Sequence, residues 1–448
     1  MPTEPGKEFQ EWRTLLSGDA RISADLAASE LDTTSLPEAL QVPTRKVGAG
    51  FQTLFLLANI VTWLAKFPFT QIVLPLQILA FDPGNKVVDL AIIAGVGSFF
   101  GLVVNPIAGA LSDRTTGTWG RRRPWLIAGG LLSAVMLVLL AFAPGIIGLL
   151  IEWIVYQMVV NAVLTALLAT IPDQVPARQR GTVSAYTGLS YPLGLIVGTL
   201  LVTRVLKSAI APSYYVIAAI FLVIILAFAL LLPDKPLAKG VMPSFHLGRF
   251  LASFWISPRR NPDFAWAWIT RFLLIMSSAV ITVYLLYYLQ DALHFSADVA
   301  AQRATIFNTI YGIILIVFAF LSGFISDKIQ RRKIFVMGAG ILVALSMLIL
   351  AFVVSWTGVL VAAAIFGLGY GVYIAVDIAL ITEVLPSAES RGKDMGVFNI
   401  ANSLPQVIVP IIAVATISSF HNYTFLFVVV AIAAVLSGVL IAPIKGVR

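Results

Sequence analysis

Apolar residues fall in twelve long runs, roughly 51–80, 87–112, 124–143, 146–171, 182–204, 213–232, 263–290, 303–326, 332–354, 357–382, 393–418 and 421–443. Each reaches the ~20 mostly apolar residues that carry an α-helix across a bilayer. The pattern predicts an all-α integral membrane protein with twelve transmembrane helices. The longest polar connection, 233–262, divides them six and six. It contains Pro233-Asp234-Lys235-Pro236 and Ser257-Pro258-Arg259-Arg260-Asn261-Pro262, both hostile to a helix. The expected organisation is a polar tail (1–49), a six-helix bundle (50–232), a linker (233–262), a second six-helix bundle (263–443) and a short tail (444–448).

The polar connections repeat. After span 2 comes Gly109-Ala110-Leu111-Ser112-Asp113-Arg114, then Gly120-Arg121-Arg122-Arg123-Pro124; after span 8 comes Gly323-Phe324-Ile325-Ser326-Asp327-Lys328, then Arg331-Arg332-Lys333. After span 4, Asp173 precedes Pro176 by three residues and Arg180-Gly181 opens the next run. After span 10, Glu383 precedes Pro386 and Arg391-Gly392 does the same. Two halves with matching decorations on one face imply parallel repeats about an axis normal to the membrane.

Composition agrees with a membrane protein: 59% of the 448 residues are hydrophobic and 12% charged, against about 25% charged in soluble domains. The net charge of +8 does not point to nucleic acid, because the basic residues lie in short loops. Those after even-numbered spans hold 17 Lys/Arg, whereas the other side has only Lys86, Arg204, Lys207 and Arg303. Positive-inside reasoning places the basic loops and both termini in the cytoplasm, with the plasma (cytoplasmic) membrane as the expected location. There is no cysteine, and His246, His294 and His421 form no metal cluster, so no metal or cofactor is expected. His-Glu-x-x-His, paired Asp-rich motifs and an ATP-binding loop are all missing, which argues against a membrane-embedded enzyme.

The loop at Asp113 resembles the loop between spans 2 and 3 of the major facilitator superfamily, Gly-x-x-x-Asp-Arg/Lys-x-Gly-Arg-Arg. Its lengthened form, starting at Asn105-Pro106, is similar to the glycoside–pentoside–hexuronide branch and its sucrose–proton symporter relatives. The resemblance implies the major facilitator fold, two six-helix pseudo-repeats with substrate bound at the midplane between them. It also implies transport of a sugar or glycoside, a disaccharide included, by alternating access. Where sodium-coupled melibiose-type members have a cation-site Asp, this chain has Asn105, which favours proton coupling, or none, over sodium. A proton-driven exporter of amphiphilic compounds is the alternative, and a transport-dead sensor a third. A sugar-like molecule, protons and the bilayer are the expected partners of a monomer.

On this reading Gly109, Asp113, Arg114, Gly120 and Arg121–Arg123 form a gate motif, echoed by Asp327 and Arg331. Asp113 is expected to meet Arg121, Arg122 or Arg123 and a helix start of the other half near Arg391. Asp173/Arg180 and Glu383/Arg391 are candidate ion pairs.

Charges inside spans are costly, so each is a functional candidate. Lys66, Glu152, Arg271 and Asp377 fall on spans 1, 4, 7 and 10, which the resemblance places around the cavity. Helical spacing groups Trp63, Lys66, Thr70 and Gln77; Glu152 and Tyr156; Arg271, Ser278 and Thr282; Tyr370, Tyr373 and Asp377; and Asn399, Asn402 and Gln406. Depth predicts an Arg271–Asp377 pair, and a Lys66–Glu152 pair if the lysine reaches outward. Glu152 and Asp377 are the candidate proton carriers; the other polar groups are candidate sugar contacts. Glycines at 95, 97, 101 and 109 and the run Gly367–Gly371 predict close helix approach.

Overall fold

The computed structural model describes residues 43–205, 209–238, 261–329, 331–384 and 391–444, with Gly248 and Arg259. The side chains of Asp327, Glu383 and Arg391 lie outside the described residues. Among the described residues, twelve helices of at least 17 residues follow in order: α1 (Ala49–Phe81), α2 (Lys86–Asp113), α3 (Arg123–Leu140), α4 (Ile146–Gln174), α5 (Ala177–Val205), α6 (Ala211–Leu231), α7 (Pro262–Asp291), α8 (Ala297–Ile329), α9 (Arg332–Phe352), α10 (Trp356–Val384), α11 (Arg391–Phe420) and α12 (Thr424–Leu440). Eleven are long and apolar enough to cross a membrane; α12, with 17 residues, is the short one. There is no strand among the described residues. Helix α8 begins at Ala297, before the run predicted for it, so Arg303 lies inside it rather than at its end; its guanidinium packs 4.2 Å from the centroid of the Trp356 ring.

Packing repeats between the halves. In the first, α2 packs on α4, α3 on α4 and α6, and α1 on α5 and α6. In the second, α8 packs on α10, α9 on α10 and α12, and α7 on α11 and α12. The halves meet along α2–α11 and α5–α8, which are equivalent pairs. Burial follows from this arrangement: 89% of the apolar window of α7 and 78% of that of α1 are buried, against 28% for α8, so α1 and α7 are central. Exposed Phe99, Val135, Phe320, Phe324 and Ile341 give the perimeter the apolar surface that lipid requires.

Close approach depends on missing side chains. A Cβ at Gly367 would lie 2.7 Å from the Tyr311 carbonyl oxygen, and one at Gly371 2.7 Å from that of Leu315. Backbone therefore rests on backbone between α10 and α8, as the glycine run predicts.

Helix α1 is not regular. Pro68 has no N–H to give the preceding turn, and Pro75 repeats the defect; between them Phe69–Val73 is a π-helical segment. The hydroxyl of Tyr156 on α4 donates to the Ala65 carbonyl at this break. Lys66 follows directly.

Candidate functional site

A cavity of about 320 Å³ lies between the halves, walled by α1, α2, α4, α5, α7, α10 and α11. A larger cleft of about 740 Å³, around Arg45, Arg121 and Asp234, belongs to the first half alone and holds none of the four span charges. The smaller cavity is therefore the candidate site.

Its second-half wall is a tight polar cluster. The Arg271 guanidinium pairs with the Asp377 carboxylate and donates from Nε to Asn402 Oδ1 at 2.5 Å. Both charged side chains are nearly buried, at 13% and 8% exposure, so each neutralises the other away from water. This is the Arg271–Asp377 pair that depth along the two spans predicts. Tyr370 and Tyr373 line the same wall.

The first-half wall carries Lys66, Asn105, Gln157 and Asn161, with Trp63, Phe67 and Tyr191 as aromatic surface. Lys66 Nζ donates to Asn161 Oδ1 at 3.3 Å and stands 5.7 Å from the centroid of the Trp63 ring. Asn161 Nδ2 donates to the Gln157 carbonyl at 2.7 Å, which fixes its oxygen toward the lysine. Asn105 Oδ1 accepts from the Thr165 hydroxyl at 3.1 Å.

Several expected residues stand elsewhere. Lys66 does not meet Glu152: its partner Asn161 is nine residues from Glu152, ~14 Å along α4. Glu152 lies near the opposite end of α4, off the cavity wall, and its Oε2 is buried without a hydrogen-bond partner. Gln77 is also off the wall; it donates to the Leu140 carbonyl at 2.8 Å and accepts from the Tyr214 hydroxyl at 2.6 Å. The reason is the π-helical segment, whose wide turns break the phase of the Trp63–Lys66–Thr70 stripe. Tyr156 spends its hydroxyl on the α1 backbone. Asn399 is exposed and accepts a long 3.4 Å bond from Asn402, while Asn402 itself lines the cavity. Thr70 remains on the wall.

On the face that carries the basic loops, Arg122 ties three helices together. It pairs with Asp113, donates from Nε to Asp173 Oδ2 at 2.7 Å and from Nη1 to Ser112 Oγ at 2.5 Å. Arg121 reaches Asp173 at 2.9 Å. Burial opposes the Arg122 charge, but Asp173 and Asp113 outweigh it and raise its pKa above the ordinary arginine value. Asp234, which the sequence reading left unassigned, accepts from the backbone N–H groups of Arg122 and Arg123 at 2.5 and 2.8 Å and so caps α3. Gly120 (φ +90°) leaves room for that carboxylate, since a Cβ there would fall 2.3 Å from Asp234 Cγ. The expected Asp173–Arg180 pair is corrected: Arg121 and Arg122 occupy Asp173, and Arg180 donates instead to the Val175 and Pro172 carbonyls. Arg114 donates to the Ala110 carbonyl at 2.8 Å, a Cβ at Gly109 would sit 3.4 Å from Thr165 Cγ2, an ordinary contact that does not require glycine, and Arg331 is exposed.

The opposite face holds a seal that the sequence reading missed. Lys86 of α2 pairs with Asp291 of α7 at 2.5 Å, and Tyr423 donates to the other Asp291 oxygen at 2.7 Å. Tyr287, with Lys86 5.0 Å from its ring centroid, donates to the Pro75 carbonyl at 2.9 Å. Deeper, Asn308 donates to Gln71 Oε1 at 2.6 Å, and the Tyr191 and Tyr311 hydroxyls lie 3.4 Å apart. The hydrogen bonds and ion pair that join the halves between described residues thus lie from the midplane to this face. No group of acids or histidines among the described residues could hold a metal ion.

Two six-helix repeats around a shared polar cavity match the sequence profile of the Major Facilitator Superfamily over residues 54–308 and 267–446. The chain belongs to the Major Facilitator Superfamily. This major facilitator is similar to the General alpha-glucoside permease of Schizosaccharomyces pombe, with 28% identity over 137 residues, 27% of this chain and 25% of the permease. It is 42% identical to the Sucrose transport protein SUT1 of Oryza sativa subsp. japonica over 50 residues, 11% of this chain and 9% of that protein. The chain thus spans a quarter or less of these curated relatives. A crystal structure of a POT family transporter in complex with a thioalcohol-conjugated peptide superposes with TM-score 0.68 at 14% identity, covering 87% of this chain and 94% of that one. At that identity the likeness concerns the fold.

Proposed function

We propose that this major facilitator moves a sugar or glycoside by alternating access in symport with protons, from a plasma membrane in which both termini are cytoplasmic. The observation that carries the reading is the inter-half cavity, where amides and hydroxyls (Asn105, Asn161, Ser278, Asn402) stand beside the aromatic faces of Trp63, Phe67 and Tyr191. A sugar offers both kinds of surface: hydroxyls for the amides, and a C–H face for the rings. The volume, about 320 Å³, is at the small end of the ~300–1,000 Å³ usual for ligand sites and suits one or two sugar rings. The partial similarity to an alpha-glucoside permease and a sucrose transport protein supports the same class. An exporter of large amphiphiles would want a wider, more apolar cavity.

Glu152 is the proposed proton carrier, with Asp377 the second candidate. Asp377 is engaged by Arg271, whereas Glu152 has a free buried oxygen. The test is transport by the full chain in proteoliposomes with an imposed pH gradient. Adding the transported sugar should alkalinise the outside medium, and Glu152→Gln should abolish uphill accumulation while leaving substrate counterflow. Full uphill uptake by that variant would remove Glu152 from the mechanism.

A further inference from the structure

The larger cleft, about 740 Å³, lies within the first half on the face that carries the basic loops, between the start of α1, the end of α4 and the end of α6. It takes no part in the cavity between the halves. Its floor and its rim differ in chemistry. The floor is apolar: Phe51 and Phe228, with ring centroids 5.8 Å apart, together with Leu54 and Leu231. Leu231 is 70% exposed, so this floor is continuous with the apolar perimeter of the bundle. The rim is basic, with Arg45 and Lys46 ahead of α1 and Lys235 after α6.

The two acids of the lining do not cancel that rim. Asp173 is occupied by Arg121 and Arg122, and Asp234 by the backbone N–H groups of Arg122 and Arg123. Arg45 and Lys46 are exposed and form no ion pair with a described residue. The cleft also sits at the level of lipid headgroups. It opens beside the ends of three spans, and Trp119 in the adjoining loop is 59% exposed, as an indole at a membrane–water interface is. A water-soluble anion would use the rim and leave the floor bare, and a neutral lipid would do the reverse. An anionic phospholipid matches floor, rim and depth together.

We infer that this cleft binds one anionic phospholipid, its headgroup phosphate against Arg45 and Lys46 and an acyl chain along Phe51, Phe228 and Leu231. Basic pockets between membrane helices favour such headgroups, and each Lys or Arg adds to the attraction. The bound lipid joins the start of α1, the helix that carries Lys66, to the end of α6, and so becomes part of the first half as it moves. The site is independent of the cargo and of the coupling ion.

Native mass spectrometry of the delipidated full chain in detergent tests this with three probes: dioleoylphosphatidylglycerol, dioleoylphosphatidylcholine and inorganic phosphate. Wild type should bind one phosphatidylglycerol at least ~10-fold more tightly than phosphatidylcholine, a preference that two basic residues can supply. Excess inorganic phosphate should not displace it. Arg45→Gln/Lys46→Gln should bring the two lipids to equal affinity. Gly50→Leu should remove the tight site with every charge in place, because Gly50 lines the cleft and a Cβ there meets nothing within 4 Å. Arg178→Gln/Arg259→Gln, a charge-matched control at exposed positions off the cleft, should keep the preference. Melting curves without lipid identify a misfolded variant, and the double glutamine variant carries the test if Gly50→Leu is one. Equal loss of preference in both double variants means diffuse attraction to the basic face and overturns the inference. Displacement by inorganic phosphate also overturns it, in favour of a soluble anion. A wild type that takes up neither lipid, yet melts lower once Arg45 and Lys46 are replaced, overturns it in favour of a cleft filled by the chain itself.

Discussion

Taking the carboxylate from Asp377 would leave Arg271 buried in an apolar bundle with Asn402 as its neutral partner. Breaking a buried pair on one side costs about 3–5 kcal/mol, whereas removing both charges is often neutral. Asp377→Asn should therefore melt well below wild type in detergent, and Arg271→Gln/Asp377→Asn together should recover most of the loss. A double variant as unstable as the single one would mean that the pair does more than neutralise itself. The pair was legible in the sequence because Arg271 and Asp377 both lie a few residues inside the basic ends of their spans, at matched depth. Lys66–Glu152 was not a pair, and the same count shows why: their depths differ by more than a lysine side chain spans. Asn161 and Gln157, polar positions one turn apart in the apolar run of span 4, carried a signal that attention to charge alone passed over. Lys86 counts in the sequence only as a charge on the less basic side, because nothing local to it or to Asp291 announces a partner 205 residues away.

At the scale of helices, the glycine run of α10 is a contact surface, as its spacing predicts, since small residues at helical spacing have few other uses in a membrane. A methyl group at Gly371 would meet the Leu315 carbonyl oxygen at 2.7 Å and its Cα at 3.1 Å, and backbone cannot step aside as a flexible side chain can. Gly371→Ala should cost about 1–3 kcal/mol, seen as a lower melting temperature and a smaller folded fraction in size-exclusion chromatography. Gly323 on α8 is the control, because its nearest neighbour would be Ala375 Cβ at 3.8 Å. Gly323→Ala should be neutral or stabilising by up to ~1 kcal/mol from helix propensity. Equal losses in the two variants would show that α8–α10 packing is not set by backbone contact. The phase of α1 was less legible. Two prolines in an apolar run announce a defect but do not say whether the chain kinks, tightens or widens. The choice of a π-helical segment, fixed by packing against Tyr214 and the backbone hydrogen bond from Tyr156, is what turned Gln77 off the cavity wall.

For the molecule as a whole, the arrangement of cross-half contacts defines a conformation closed on the face opposite the basic loops. The Arg122 brace does not cross the seam; it holds α2, α3 and α4 as one body. A rigid half is what rocking requires, because hinge and shear motions move packed units past each other rather than deforming them. Between described residues, the bonds that must break for the opposite face to open are Lys86–Asp291, Tyr287 to Pro75, Asn308 to Gln71, the tyrosine pair, and Thr305 to Thr199 and Thr203. Lys86–Asp291 is the outermost of these and partly exposed, so it contributes a modest energy, ~1 kcal/mol or less, about a fivefold change in the population of the open state. Because the chain has no cysteine, a single Thr282→Cys in the cavity makes a unique label site. An impermeant maleimide applied at the face opposite the basic loops should modify that cysteine slowly, and several-fold faster once Lys86→Ala is added. Labelling from the basic face should slow in the same variant, since a population gained by one state is lost by the other. Faster labelling from both faces at once would mean that Lys86→Ala loosens the fold, and the ion pair would then be a brace like Arg122 rather than a seal.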